Sequence, residues 1–231
     1  MVLGHSSNAI IIGSLFPDLI ISTQMEHIKA HSLGFELLSV IRDRHPLADF
    51  VRAIITHGIN PPGLDYFGDE KYQDHERGYC FVKGLQIVDE TIEYCHIPSE
   101  LGWWKSHNII EMGIELLISN QGNYCKAIKQ AFNDQTLIEQ ITELLPLQTG
   151  YLEKGLQKRI SGFERIIEIR RATPESLADK YRLQMLHRHG FNIDTEKVAQ
   201  LIEKAAELVT SDLEDFFRYA HTNVLNELNK I

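Results

Sequence analysis

Residues 194–210, DTEKVAQLIEKAAELVT, indicate the fold class of this chain most clearly. Apolar side chains recur there at spacings of three and four residues, the period of one face of an α-helix. Asp194 is a candidate N-cap, because its carboxylate can accept hydrogen bonds from amides of the first helical turn. The same periodicity returns after Ser211, and no convincing run of the alternating residues typical of strands is found. We therefore expect an all-α protein.

Helix signals also cover most of the remaining sequence. Thr173 precedes a proline at the first helical position, and Gly190 ends the helix that follows. The consecutive prolines after Asn60 cannot continue a helix, so they begin a long polar loop that extends to His75. Further helices are predicted at about residues 35–44, 47–59, 78–95, 99–118, 124–145 and 151–171. We expect one multi-helix domain over 1–231, with a metal-site half at 1–118 and additional helices at 124–231.

The overall charge argues against nucleic acid as a partner. The 231 residues include 23 Lys and Arg against 32 Asp and Glu, a formal net charge of −9. A broad electrostatic attraction to the phosphate backbone needs the opposite sign of charge. The sequence therefore carries no strong nucleic-acid signal.

Cysteine usage and hydropathy suggest the compartment. The three cysteines are odd in number and form no CxxC pair, so a reducing environment fits best. The apolar stretch 9–21 is interrupted by glycine and proline, is too short to span a bilayer, and lacks the basic region of a signal peptide. We expect a cytoplasmic protein without a transmembrane segment. The sequence does not indicate an oligomeric state.

Histidines and carboxylates are concentrated in the first half of the chain. Residues 1–120 hold eight of the eleven histidines, and 16 Asp and Glu against 8 Lys and Arg. Imidazoles and carboxylates in a region poor in cations are what a metal-cation site requires. A solvated acidic face with scattered histidines is the alternative that composition leaves open.

The strongest local motif is His107-Asn-Ile-Ile-Glu111. Positions i and i+4 lie on one face of a helix, so both side chains can reach one ion. The surrounding residues are mostly isoleucine, leucine and methionine, so we expect this helix to be buried nearly all round. A buried carboxylate is costly unless a metal ion or a cationic group is next to it. The pattern favours a ligand pair over a structural His–Glu hydrogen bond.

Three other residues are candidates for the same chemistry. His57 ends an apolar helix, and Asp65 follows across the Pro-Pro turn, so both can face one cleft. Asp18 is a carboxylate in an apolar neighbourhood. The alternatives are a turn or cap role for Asp65 and an N-cap role for Asp18. The motifs GxxxxGK[ST], GxGxxG, GxSxG and HExxH are absent, which argues against the enzyme classes that they mark.

Three blocks of sequence, taken in order, resemble the zinc-dependent phospholipase C family, whose helical fold is shared with a group of zinc nucleases. The first block is Gly13-Ser-Leu-Phe-Pro-Asp18, with His31 after it, and the second is Phe50-Val-Arg-Ala-Ile-Ile-Thr-His57. The third is the His107–Glu111 motif. The resemblance covers about residues 1–118.

The resemblance implies an all-helical domain of the phospholipase C and zinc nuclease type. It also implies two or three bound zinc ions, although manganese, iron or nickel suit a nitrogen and oxygen ligand set as well. The implied metal ligands are His5, His31, His57, Asp65, His107 and Glu111. Asp18 would orient or deprotonate the attacking water.

The expected function is that of a metal-dependent hydrolase of phosphate esters, phosphodiesters among them. The substrate would be a small-molecule or lipid phosphate ester. A non-catalytic helical protein that binds a metal or a partner is the alternative that the residues leave open.

Overall fold

Helices account for all the regular secondary structure in the described part of the chain. The computed structural model describes residues 2–21, 25–41, 45–121, 124–145, 153–163 and 171–231. These residues form α-helices, one π-helical turn and one 3-10 turn, and no strand. The all-α prediction is therefore confirmed.

The helices are, in chain order, α1 Asn8–Ile20, α2 His27–Val40, α3 Ala48–His57, α4 Tyr79–Gly84, α5 Val88–Cys95, α6 Ser99–Gln121, α7 Tyr124–Phe132, α8 Gln135–Leu144, α9 Glu153–Phe163, α10 Pro174–His189, α11 Thr195–Thr210 and α12 Leu213–Leu228. The π-helical turn is Tyr66–Glu70, and the 3-10 turn Leu85–Ile87 connects α4 to α5.

The predicted helix ends of the C-terminal half are present. The Asp194 side chain accepts a hydrogen bond of 3.2 Å from the backbone N–H of Lys197. Thr173 and Ser176 form a reciprocal capping box at the start of α10. Gly190 ends that helix with a φ of 74°, in the left-handed region that favours glycine.

Several expectations about the helices need correction. No helix was expected over residues 8–20, yet α1 forms there with Gly13 and Pro17 inside it. Asp18 lies within this helix, near its C-terminal end, so the N-cap interpretation of Asp18 is wrong. The helix expected at 35–44 begins at His27 and ends at Val40. The one expected at 78–95 is divided into α4, the 3-10 turn and α5, and the one expected at 124–145 is divided into α7 and α8. The helix expected at 151–171 is α9 in its described part, and residues 164–170 lie outside the described residues.

The residues cluster into two compact units, and each is described by itself. Unit 1 comprises Met1–Phe67, Cys125–Ile166 and Arg218–Ile231; unit 2 comprises Gly68–Tyr124 and Ile167–Phe217. The expectation of one domain over 1–231 stays a prediction.

In unit 1, α3 packs against both α1 and α2. Ile12 and Phe16 of α1 and Phe50 and Ile54 of α3 are fully buried, and the rings of Phe16 and Phe50 meet edge to face at 5.1 Å. This buried face offsets the poor helix propensity of glycine and proline in α1. The packing also places His57, the last residue of α3, against the middle of α1, since its imidazole bonds to the Ser14 carbonyl.

The contact between α1 and α3 requires glycine at position 13. A Cβ atom on Gly13 would meet the carbonyl oxygen of Phe50 and lie 2.8 Å from the Cβ of Ala53. We expect Gly13→Ala to lower the free energy of unfolding by about 1–3 kcal/mol, the usual cost of overpacking. Urea unfolding of both proteins measures this difference.

Gly162→Ala is the matched control for that substitution. Gly162 also lies inside a helix, α9, but a Cβ atom there would meet nothing within 4 Å. Alanine should stabilise this position by about 0.5–1 kcal/mol, because glycine loses more backbone entropy in a helix. An equal response of the two variants would show that close helix packing does not constrain position 13.

In unit 2, α6 packs against α4, α5 and α11, and α11 packs against α10. Ile109 and Ile110 of α6 are fully buried. Glu115 on the same helix is exposed, so the expectation of a helix buried nearly all round is wrong. Tyr79 of α4 stacks on Phe216 at 4.3 Å and donates a 2.7 Å hydrogen bond to Asp212. Burial and Asp212 together raise the pKa of Tyr79, so this phenol stays protonated.

Candidate metal centres

Unit 1 brings five possible metal ligands together from three helices and the loop after them. The first group is Asp18 of α1, His31 of α2 and His57 of α3. The second group is His27, His31 and Asp65. Within each group the ligand atoms all lie within 4.8 Å of one another. Four of these residues, all except His27, were predicted from the sequence as site residues.

Backbone contacts position His31 and His57. The N–H of Ile59 donates a 2.9 Å hydrogen bond to the carbonyl of His31, which ties the loop after α3 to the first turns of α2. A Cβ atom on Gly58 would collide with the same carbonyl, so glycine allows this close approach. His57 is the last residue of α3, and the loop after it carries Asp65.

Each of these two imidazoles is oriented by a backbone carbonyl. Nδ1 of His31 donates to the carbonyl of His27 at 3.0 Å, and Nδ1 of His57 donates to the carbonyl of Ser14 at 2.6 Å. With the proton on Nδ1, the lone pair of Nε2 is available to a ligand. Carbonyl contacts of this kind fix the tautomer of metal-binding histidines.

Three buried polar atoms in this cluster have no hydrogen-bond partner among the described residues: Nε2 of His31, Nε2 of His57 and Oδ2 of Asp65. Nε2 of His31 lies 3.6 Å from carboxylate oxygens of both Asp18 and Asp65, and Nε2 of His57 lies 3.7 Å from Asp18. These separations are longer than hydrogen bonds. They are close to the roughly 3.4 Å that separates two ligands each ~2.1 Å from one tetrahedral ion. The donor set therefore fits a metal ion.

The two groups in unit 1 describe one centre. They share His31, whose Nδ1 is already bonded to a carbonyl, so only Nε2 can bind an ion. One nitrogen lone pair binds one ion. The side chain of His31 is fully buried, those of His57 and Asp65 are mostly buried, and that of Asp18 is 54% exposed. The centre therefore has an open side at Asp18.

The charges within this centre favour ionised carboxylates. Partial burial opposes ionisation of Asp18, but His31 and His57 outweigh it and hold the pKa of Asp18 at about 2. Burial likewise lowers the pKa of His31, but Asp18 and Asp65 outweigh it and raise that pKa above its usual value. Protons therefore compete with a cation for His31, and rising pH favours the cation.

His27 is a possible ligand that the sequence analysis did not identify. Its ring stacks on that of His31 at 3.9 Å, and its Nε2 lies 3.7 Å from Oδ2 of Asp65. The side chain is half exposed. The spacing of four residues between His27 and His31 on one helix was a signal that could have revealed it.

His5, a predicted ligand, lies outside these groups. Its Nε2 bonds to Asp49 at 2.8 Å and its Nδ1 to the carbonyl of Leu3 at 3.0 Å. Asp49 raises the pKa of this exposed imidazole. A ligand role for His5 stays a prediction of the resemblance.

Unit 2 holds the other two predicted ligands, His107 and Glu111, both on α6. Asp69, Cys80 and Glu111 form a third group with ligand atoms within 4.8 Å of one another, and Nε2 of His107 lies 3.8 Å from Asp69. The amide of Asn108 bonds to Nε2 of His107 at 3.0 Å and to Glu111 at 3.3 Å. The His107 ring stacks on Phe81 at 4.3 Å, which holds it against the start of α4.

Asp69 and Cys80 were not identified from the sequence. Asp69 lies in the π-helical turn, and the buried Cys80 lies in α4. A single cysteine outside any CxxC pair carries no spacing signal, and nothing in its neighbourhood pairs it with residue 111. Only the fold of unit 2 brings these side chains together.

No helix among the described residues is long and apolar enough to cross a membrane. Comparison of the chain with protein-family models, with curated proteins and with solved structures gave no match.

Proposed function

We propose that this chain is a metal-dependent hydrolase of phosphate esters, with the helical fold of the zinc-dependent phospholipase C and zinc nuclease type. Two lines of argument support the proposal. The sequence resemblance over residues 1–118 suggests the reaction class, and the histidine and carboxylate centre in unit 1 provides a place for the metal.

The observation that carries the proposal is the convergence of three buried polar atoms: Nε2 of His31, Nε2 of His57 and Oδ2 of Asp65. Burying a polar atom without a partner costs about 1–3 kcal/mol. Three such atoms in one place are therefore expensive unless a cation binds to them.

The ligands of this centre would be His31, His57 and Asp65, with His27 or Asp18 available as a fourth donor. Imidazole and carboxylate donors suit zinc, and they also suit manganese, iron and nickel. When bound, a zinc ion would lower the pKa of a bound water toward ~7 and offset charge that develops on the phosphoryl oxygens.

Asp18 has the geometry of a residue that orients the nucleophile. Its carboxylate is the most exposed of the predicted site residues in this centre, so it faces the side from which a substrate would enter. With a pKa of about 2, it is ionised at neutral pH and can accept a hydrogen bond from water. Its two oxygens lie near His31 and His57, respectively, which keeps the carboxylate directed at the centre.

A second ion would be held in unit 2 by Asp69, Cys80 and Glu111, while a ligand role for His107, whose Nε2 bonds to Asn108, stays a prediction of the resemblance. A thiolate is a softer ligand than a carboxylate, and it favours zinc over manganese or magnesium. This group therefore supports zinc as the native metal more strongly than the unit 1 donors do.

The metal content of the protein tests the first part of the proposal. We expect at least one transition-metal ion per chain in protein purified without chelators and without a histidine-rich tag. Elemental analysis by mass spectrometry gives the identity and the stoichiometry. Protein that arrives metal-free and takes up no added zinc, manganese, iron or nickel at neutral pH would refute a metal centre.

Hydrolysis assays test the second part. Metal-loaded protein should be compared on a phosphodiester, a phosphomonoester and a carboxylic ester that release the same chromophore. We expect the phosphodiester or the phosphomonoester to be cleaved faster than the carboxylic ester. Metal-loaded protein that hydrolyses none of the three would instead support the non-catalytic, metal-binding alternative.

A further inference from the structure

Lys105 is a buried cation in unit 2 that the metal centres do not use. It lies on α6, and only 2% of the residue is exposed. Its Nζ lies 2.9 Å from Nε2 of His189 and 3.8 Å from the centroid of the Trp104 ring. The ammonium group is therefore covered by two side chains that are themselves partly exposed at the surface.

The hydrogen-bonding capacity of this ammonium is mostly unused within the described residues. A lysine ammonium has three N–H donors. The imidazole of His189 is its only hydrogen-bond acceptor in the described part of the chain, and no carboxylate there forms an ion pair with it. Burying a charged group without a counter-charge is costly, so this arrangement calls for an acceptor that carries negative charge.

Arg188 adds a second positive charge that acts on Lys105. Burial is the main cause that lowers the pKa of Lys105, to about 8, and Arg188 lowers it further, while the buried thiol of Cys95 acts in the opposite direction. Burial, Lys105 and Arg188 lower the pKa of His189 in the same way. No carboxylate acts on either group among the described residues, although the whole chain carries a formal charge of −9.

Lys83 in the same unit shows how the charge of a largely buried lysine is ordinarily neutralised. Its side chain is only 16% exposed, and it forms a 2.7 Å ion pair with Asp212 and donates to the carbonyl of Leu208 at 3.1 Å. The charge of Lys83 is thus neutralised within the fold, whereas that of Lys105 is not.

We propose that Lys105, Arg188 and His189 form a binding site for a phosphate group, either inorganic phosphate or the phosphate of a small phosphomonoester. A tetrahedral oxyanion can accept hydrogen bonds from the ammonium, the guanidinium and the imidazole at once, and such charge-assisted bonds are stronger than neutral ones. Because His189 covers the ammonium, phosphate would reach Lys105 only after this ring turns aside. The exposed ring of Trp104 provides an apolar surface next to the site for the organic part of a phosphomonoester.

This site does not depend on the proposed hydrolase activity. Its residues lie on α6 and α10, and none of them belongs to the groups of possible metal ligands. Phosphate could also bind to a metal ion elsewhere in the protein. The test therefore compares variants that change only the cationic site.

The experiment is a calorimetric titration of the full chain, as purified, with inorganic phosphate and with phenylphosphonate, a non-hydrolysable analogue of a phosphomonoester, at constant ionic strength. Lys105→Met keeps the length and burial of the side chain and removes the charge, and Arg188→Gln alters an exposed residue that cannot disturb the core. We expect each to weaken phosphate binding at least about tenfold, the effect of removing one charge-assisted hydrogen bond. Lys83→Met, the matched control, should leave the affinity unchanged.

The results of the titration distinguish the two possible ligands from the absence of a site. Tighter binding of phenylphosphonate than of inorganic phosphate, lost in Lys105→Met, would support a phosphomonoester ligand. Equal affinities for the two compounds, both lost in Lys105→Met, would support inorganic phosphate as the ligand. Absence of binding by the unaltered chain, or equal binding by the unaltered chain, Lys105→Met and Arg188→Gln, would overturn the proposal. Because Arg188→Gln preserves the core, failure of Lys105→Met to fold would leave the test intact.

Discussion

His31→Gln is expected to remove the metal ion from unit 1 and to lower metal affinity there by at least about 100-fold, since changes to the contacts behind a ligand alone cost 10–100-fold. Nε2 of His31 belongs to both groups of ligand atoms in that unit, so its loss dismantles both. Glutamine approximates the length of histidine but offers no imidazole lone pair to the ion. The metal content should fall by one ion per chain, which elemental analysis measures. Competition with a chelating indicator measures the loss of metal affinity.

The control for this variant is His221→Gln. His221 lies on α12 in unit 1, outside every group of possible ligands, so metal content should not change. Circular dichroism and urea unfolding show whether each variant is folded, which matters because His31 is only 2% exposed. Folded His31→Gln protein with the metal affinity of the parent chain would mean that the ion, if any, is held elsewhere. His57→Gln should lose metal in the same way, and it alters a less buried residue.

The helices of this chain were predictable largely because their signals are local. The period of apolar residues and the caps at Asp194 and Thr173 depend on neighbours within a few positions, and both caps are present. Helix α1 was not predicted, because the interactions that favour it are not local. Gly13 and Pro17 oppose a helix locally, and only the packing of α1 on α3 favours it. That contact joins parts of the chain about forty residues apart, and no local pattern reveals it.

The candidate site also depends on contacts that local sequence does not reveal. Asp18, His57 and Asp65 were identified as candidates from their local sequence, and His31 was identified only through the family resemblance. Cys80 stands 31 positions before Glu111, and no rule of spacing connects a lone cysteine to a distant carboxylate. The proximity of those two residues is a consequence of tertiary structure alone.

Lys105 illustrates why charge patterns in the sequence are insufficient to predict a buried cation. In the sequence it follows two tryptophans and precedes Ser106, and lysine is among the residues that are least often buried. Its burial depends on α10 lying against it, since His189 at the end of that helix covers the ammonium. Desolvation of a charge is a property of the packed structure, and the sequence holds no local sign of it.

Asp18→Asn is expected to keep the metal and to lower phosphodiester turnover by about 10²–10⁴-fold, the usual contribution of a residue that accepts or directs a proton. Asparagine preserves the shape of the carboxylate, but it carries no charge, and its nitrogen cannot accept a hydrogen bond from water. The helix should tolerate the change, because the Asp18 side chain is 54% exposed. Steady-state kinetics with metal-loaded protein measure the effect, together with the metal content of the same sample.

Two results distinguish the roles that the geometry allows for Asp18. Its carboxylate oxygens lie 3.6 Å from Nε2 of His31 and 3.7 Å from Nε2 of His57, so it is close enough to share an ion with them. Loss of metal together with activity would make Asp18 a ligand, whereas retained metal with lost turnover would make it the residue that orients water. Glu36→Gln, a neutralised carboxylate on the exposed face of α2, is the matched control and should change neither quantity. Full turnover by metal-loaded Asp18→Asn would remove Asp18 from the mechanism, because a spectator carboxylate is the only role that predicts it.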